Sequence, residues 1–248
     1  MIEIKTREEI AHMRDAGRIA AKARQAVGQA VAPGVTTAEL EKIAEDTIRS
    51  CGAIPSFKGY EGFPYAICAS TNEEVVHGFP SERVLQEGDI FSADIGTIYE
   101  GWQGDTAETF PVGKVSKEAQ ALIEVTEASF WEAVKFCKVG YRLGDISYAV
   151  QQYCESRGYG VVRDLCGHGI GREMHEDPEV PNFGRPGKGP RLQAGMVIAI
   201  EPMITTGTYR VRVRPDGWTV VTADGSLASH YEHTVAITDG EPEILTAL

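Results

Sequence analysis

Positive charge is in short supply in this chain. Over 248 residues, 24 Lys+Arg stand against 36 Asp+Glu, a formal net charge of −12. That balance argues against a broad surface for coating DNA or RNA and leaves room only for a local basic patch. Long apolar runs are missing too: a membrane-crossing helix needs roughly 20 such residues, and the best stretch, Gly195 to Ile200, is cut short by Glu201-Pro202. Met1-Ile2-Glu3-Ile4-Lys5 lacks the basic-then-apolar order of a secretion signal, so a cytoplasmic location is expected. The cysteines are odd in number (Cys51, Cys68, Cys137, Cys154 and Cys166) and never fall in a C-x-x-C pair. This argues against a disulfide framework and against a zinc ribbon or finger.

What is present is an ordinary globular composition, 42% apolar and 24% charged. Thr6-Arg7-Glu8-Glu9 has the form of a capping box and predicts a helix to about Ala30, before Pro33-Gly34. Thr36 with Glu39 opens a second helix ending near Gly52. Ser116 opens a third, to about Cys137, and Asp145 a fourth, ending at Gly158. Strands are predicted at 65–70, 89–99, 103–112, 196–205, 208–213, 218–222 and 231–238.

This order of long helix, shorter helix and strands occurs twice. Residues 33–53 align without a gap on 139–159, with Gly34 over Gly140 and Gly52 over Gly158. Residues 85–94 align on 192–201 with nearly the same offset. The expectation is one α+β domain, 1–248, built from two similar halves, approximately 1–115 and 116–248.

The repeat places Asp94 over Glu201, each near the end of an apolar strand. Alternation puts Asp94 on the face of Ser92 and Gly96, with Phe91, Ala93 and Ile95 on the other. It puts Glu201 with Val197 and Ala199, opposite Ile198 and Ile200. A hairpin centred on Tyr99-Glu100, with Gly101 relieving it, sets Asp94 nearly opposite Asp105, or one residue off if a G1 bulge shifts the register. The second half offers Glu232 as the mate of Asp105. Like charges facing each other across strands are destabilising, and a cation between them reverses the sign. One carboxylate on a strand is ordinarily solvated or hydrogen-bonded. Four, paired by a repeat and set among apolar residues, point to a metal centre.

Among the histidines, His168 in Cys166-Gly167-His168-Gly169-Ile170-Gly171 and His77 before Gly78 have glycine beside them, which permits close backbone approach to a ligand. His175 follows in Met174-His175-Glu176-Asp177-Pro178. His12 reads as solvated. His230 and His233 flank Glu232 and read as bystanders.

These residues resemble the type I methionine aminopeptidases of the pita-bread metallopeptidase family, in their short bacterial form. The resemblance runs from the first helix to the last strand. It rests on N-E-x-V-x-H-G-x-P (Asn72 to Pro80), Asp94 with Asp105, C-G-H-G-I-G, Glu201-Pro202, and Tyr231-Glu232-His233-Thr234. It implies a pita-bread fold, two pseudo-symmetric halves with a curved antiparallel sheet covered by helices. It also implies a hydrolase that removes N-terminal methionine from nascent polypeptides when the second residue is small. Asp94, Asp105, His168, Glu201 and Glu232 are then ligands of two divalent ions (Co, Mn, Fe or Zn). His77 and His175 are non-ligand catalytic groups, and Glu201 doubles as proton shuttle. Tyr60, Phe63, Cys68 and Trp218 form the methionine pocket with His77 and His175. Phe63 stands where the family often has tyrosine, Met174 where it often has phenylalanine, and Phe57 where it can have cysteine.

Two other readings compete: a prolidase or aminopeptidase P-like peptidase with the same ligands, and a non-catalytic ribosome- or protein-binding module on this fold. A monomer is expected, with no membrane partner and no specific DNA. The clusters Arg185, Lys188, Arg191 and Arg210, Arg212, Arg214 suggest a transient ribosome contact.

Overall fold

The computed structural model describes all residues, Met1–Leu248. Helix α1 (Arg7–Ala30) begins with the reciprocal cap read from the sequence. Thr6 Oγ1 accepts from the Glu9 amide at 3.2 Å, and Glu9 Oε2 accepts from the Thr6 amide at 2.8 Å. Thr36 and Glu39 repeat the device at α2 (Thr37–Ser50). Ser116 caps α3 (Lys117–Val134), which stops one turn before Cys137. Helix α4 (Leu143–Glu155) corrects the expected start: Asp145 lies inside the first turn, where its carboxylate accepts from the Arg142 amide at 2.8 Å. Each cap satisfies donors that the first turn cannot pair internally.

The strands that carry the site are β1 (Cys68–Thr71), β2 (Ile90–Tyr99), β3 (Trp102–Pro111), β4 (Gly167–Gly169), β5 (Glu176–Val180), β6 (Val197–Ile200), β7 (Met203–Thr205), β8 (Ala228–His230) and β9 (Glu232–Ala236). The main sheet has nine strands. Its path runs from Ile54–Pro55 through β2, β3, β9, β6 and β4 to β5; β1 also pairs with β2, and Glu243–Ile244 with β9. The halves join at β3 and β9, where Glu232 faces Ala107 and His233 faces Thr106.

Helices cover one face of this sheet. In the first half, Ile19, Val27, Leu40 and Ile48 pack on Phe91, Ala93 and Ile95. In the second, Leu122, Phe130, Ile146 and Val150 pack on Ile198, Ile200 and Val235. These are the strand faces that alternation assigned to the core. The opposite face is left to the carboxylates.

Two departures from the sequence reading concern register. The β2–β3 turn is at Glu100-Gly101, not Tyr99-Glu100. Both residues have positive φ (51° and 79°), the conformation a two-residue hairpin turn of right-handed twist demands. Asp94 therefore faces Ala107 and Asp105 faces Gly96, so the two carboxylates are diagonal neighbours on one face. The second departure is a break in the predicted strand 196–205. Pro202 has no N–H to continue the ladder, so β6 ends at Ile200 and β7 joins a separate three-stranded sheet with β8 and Gly160–Val161. A third small sheet unites Val211–Val213, Val220–Thr222 and Glu74–Val76.

Candidate metal centre and active site

The sequence-selected carboxylates approach one another from four strands, Asp94 and Asp105 from strand interiors (Asp94 not near a strand end as expected) and Glu201 and Glu232 from strand ends. Asp94 and Asp105 come from β2 and β3, Glu201 follows β6, and Glu232 opens β9. Their backbones are held firmly. Thr234 Oγ1 donates to the Asp105 carbonyl at 2.9 Å and accepts from its amide at 3.1 Å. Thr106 Oγ1 donates to the Glu232 carbonyl at 2.8 Å, and Asn182 Nδ2 to the Glu201 carbonyl at 2.9 Å. Asp94, Asp105 and Glu232 are buried, and the Glu201 side chain is 14% exposed.

Burial and the mutual repulsion of the four groups push all four carboxyls well above the usual carboxylate range. Asp94 Oδ1, Asp105 Oδ1 and Glu232 Oε1 have no hydrogen-bond partner in the protein. A buried acceptor without a donor costs about 1–3 kcal/mol, more when charged. Convergent acceptors of this kind fit a multivalent cation, which satisfies the oxygens and cancels the repulsion together.

His168 completes the set. Its Nδ1 lies 2.9 Å from the Gly169 carbonyl, which places the proton there and leaves the Nε2 lone pair facing the acids. Nε2 is 3.7 Å from Asp105 Oδ2 and 3.8 Å from Glu201 Oε1. Burial lowers the pKa of this imidazole to about 3, so it is neutral and competent as a donor. Asp105, His168 and Glu232 offer ligand atoms within 4.8 Å of one another.

The glycines beside His168 have a different cause from the one expected. A Cβ on Gly167 would lie 2.3 Å from the Ala199 carbonyl oxygen, and one on Gly169 2.1 Å from that of Asp177. They admit the neighbouring strands, not a ligand.

All eleven residues singled out in the sequence line one cavity, together with Phe57 and Glu61. His175 stands over His168, ring centroids 4.4 Å apart, and its Nδ1 is 2.8 Å from Tyr60 Oη. His77 occupies the left-handed region (φ 59°) and faces Trp218 edge-on. Such a conformation is uncommon outside glycine and concentrates at functional sites. Burial lowers the His77 pKa to about 4. Phe63 packs edge-on against Trp218 at 5.2 Å, and buried Cys68 faces Asp94 across β1–β2. The wall opposite the acids is thus apolar and aromatic.

His233 points away from the cluster, bonded to Thr246 Oγ1 at 2.7 Å and Tyr231 Oη at 3.1 Å, as expected of a bystander. His230 corrects the sequence reading. It is 1% exposed, with Nε2 3.5 Å from Glu201 Oε2 and 3.7 Å from Glu232 Oε2. The signal was the same alternation that located Asp94: two residues before Glu232 in an extended chain, His230 shares its face.

Residues 11–239 match metallopeptidase family M24. The chain is 60% identical over 247 residues to a methionine aminopeptidase of Clostridium acetobutylicum, covering 99% of both chains. It is 50% identical to methionine aminopeptidase 1 of Bacillus subtilis, again over 99% of each. It superimposes on the crystal structure of the Thermotoga maritima methionine aminopeptidase with a TM-score of 0.99, at 47% identity and full coverage of both. A prolidase of Pyrococcus furiosus shares the fold at a TM-score of 0.80 and 25% identity, but the chain spans only 65% of that protein. The fold is the pita-bread fold. The chain belongs to metallopeptidase family M24 and, within it, to the methionine aminopeptidases.

Proposed function

We propose that this protein hydrolyses the first peptide bond of nascent polypeptides and peptides that begin with methionine and continue with a small residue, acting in the cytoplasm as a monomer. The observation that carries this reading is the convergence, in one cavity, of five metal donors, two non-ligand imidazoles and an apolar wall. Asp94, Asp105, His168, Glu201 and Glu232 would hold two divalent ions. Bound divalent ions supply Lewis-acid polarisation of the carbonyl and a water of lowered pKa. A mixed carboxylate and imidazole set suits Co, Mn, Fe or Zn.

The remaining steps belong to the protein's own groups. Glu201, at the cavity edge of the cluster, takes the proton from the attacking water and delivers it to the departing amine. His175, oriented by Tyr60, donates to the oxygen on which charge develops. His77 contacts the scissile amide from the far side of the cavity. Phe63, Trp218 and Cys68 surround an unbranched, polarisable side chain, as methionine recognition requires.

The decisive assay compares Met-Ala-X peptides with X-Pro peptides. Chelator-sensitive release of methionine supports the proposal, and cleavage of X-Pro alone refutes it. Retained ligands disfavour the non-catalytic reading, which chelator-sensitive turnover excludes. For the ribosome contact, Arg185, Lys188, Arg191, Arg210 and Arg212 are exposed, whereas Arg214 is drawn into ion pairs with Glu73 and Glu74. Cosedimentation that weakens with salt supports it; absent or salt-insensitive association removes it.

A further inference from the structure

His230 has no role in the reading above, yet it is buried against the acid cluster and its backbone is held on two sides. Thr109 Oγ1, on β3, donates to the His230 carbonyl at 2.9 Å and accepts from its amide at 3.0 Å. Across β7–β8, His230 pairs with Met203, two residues after Glu201. Both neighbouring strands therefore fix the backbone that aims this ring at the acids.

The ring finds no hydrogen bond there. Its Nε2 is buried and without a partner. The nearest acceptors, at 3.5 and 3.7 Å, lie beyond ordinary hydrogen-bond length. Two donors that share an ion at about 2.1 Å in tetrahedral geometry lie roughly 3.4 Å apart. The spacing around His168, 3.7 and 3.8 Å, is closely similar.

The two imidazoles are arranged alike about the acids. Glu201 turns Oε1 to His168 and Oε2 to His230. Asp105 and Glu232 group with His168, and Asp94 and Glu232 group with His230, each set within 4.8 Å. We propose that His230 is a sixth donor of the centre, giving the Asp94 side the nitrogen ligand that His168 gives the Asp105 side. This rests on the dinuclear metallopeptidase reading and extends it. The consequence is chemical: an all-oxygen position suits manganese, whereas an added imidazole draws the same position toward zinc, cobalt or nickel.

The direct test is proton NMR of the cobalt-loaded protein. Each histidine bound through Nε2 contributes one exchangeable Nδ1–H resonance shifted far outside the diamagnetic range. Two such resonances are expected, one of which disappears in His230→Gln. A single resonance in the wild type overturns the proposal. By titration calorimetry, His230→Gln should weaken binding of the second cobalt or zinc ion at least tenfold and manganese much less. Cobalt and zinc affinities unchanged from the wild type, in a variant with wild-type circular dichroism, also overturn it. Should the variant not fold, the wild-type resonance count decides alone. Methionine release by the same cobalt-loaded wild type separates the two claims. Turnover with one resonance sinks the sixth ligand only, while no turnover sinks the peptidase reading.

Discussion

Removing one hydroxyl tests how the cavity orients its exposed histidine. In Tyr60→Phe the 2.8 Å contact from Tyr60 Oη to His175 Nδ1 is lost, while the tilted ring contact at 5.3 Å is kept. A neutral hydrogen bond contributes about 0.5–1.5 kcal/mol net. Tyr60 is only half-buried and His175 is exposed, so water replaces part of it and the lower half of that range applies. The expected loss in kcat is about two- to fivefold. KM should change less, because the ring still lines the cavity. The assay is a double-mutant cycle on a Met-Ala-X peptide. If Tyr60 acts through His175, Tyr60→Phe has little further effect in a His175→Ala background. A full, additive loss in that background would refute the argument and make Tyr60 a substrate contact in its own right.

Other outcomes follow from the same geometry. Asp105→Asn should weaken metal binding by more than about a hundredfold, since groups that merely support a ligand are worth 10–100-fold; calorimetry showing unchanged affinity contradicts its role. Gly167→Ala places a Cβ 2.3 Å from the Ala199 oxygen and should destabilise the fold by about 1–3 kcal/mol in denaturant unfolding. His77, with its pKa lowered to about 4 by burial, stays neutral in the fold while the unfolded chain takes up a proton near 6.5. Its contribution is therefore intact above pH 6.5 and lost as pH falls toward 4. His77→Gln should flatten that part of the stability profile, and an unchanged slope contradicts it.

Alternation and helix caps were the legible parts of this sequence. The faces of β2 and β6 follow from period two because their core sides, Phe91, Ala93, Ile95, Ile198 and Ile200, are strongly apolar. Helix starts follow where Thr6, Thr36 and Ser116 supply a capping oxygen. The fourth helix starts at Leu143 because Asp145 works from within the turn, a pattern that also reads as an N-cap. The hairpin register is not legible because Glu100, and not glycine alone, takes a left-handed conformation. Short strands such as β4 and β5 carry too few residues, and too much glycine and charge, to show a period. Their pairing comes from tertiary contact. His230 is hidden because, beside His233, it reads as half of a flanking pair, although only His233 faces away.

The central claim, that both halves donate side chains to one dinuclear centre, is tested most directly by anomalous scattering from crystals of the metal-loaded protein. Two peaks are expected among Asp94, Asp105, His168, Glu201 and Glu232. A metal bound elsewhere, or a single ion held by residues of one half alone, contradicts the account.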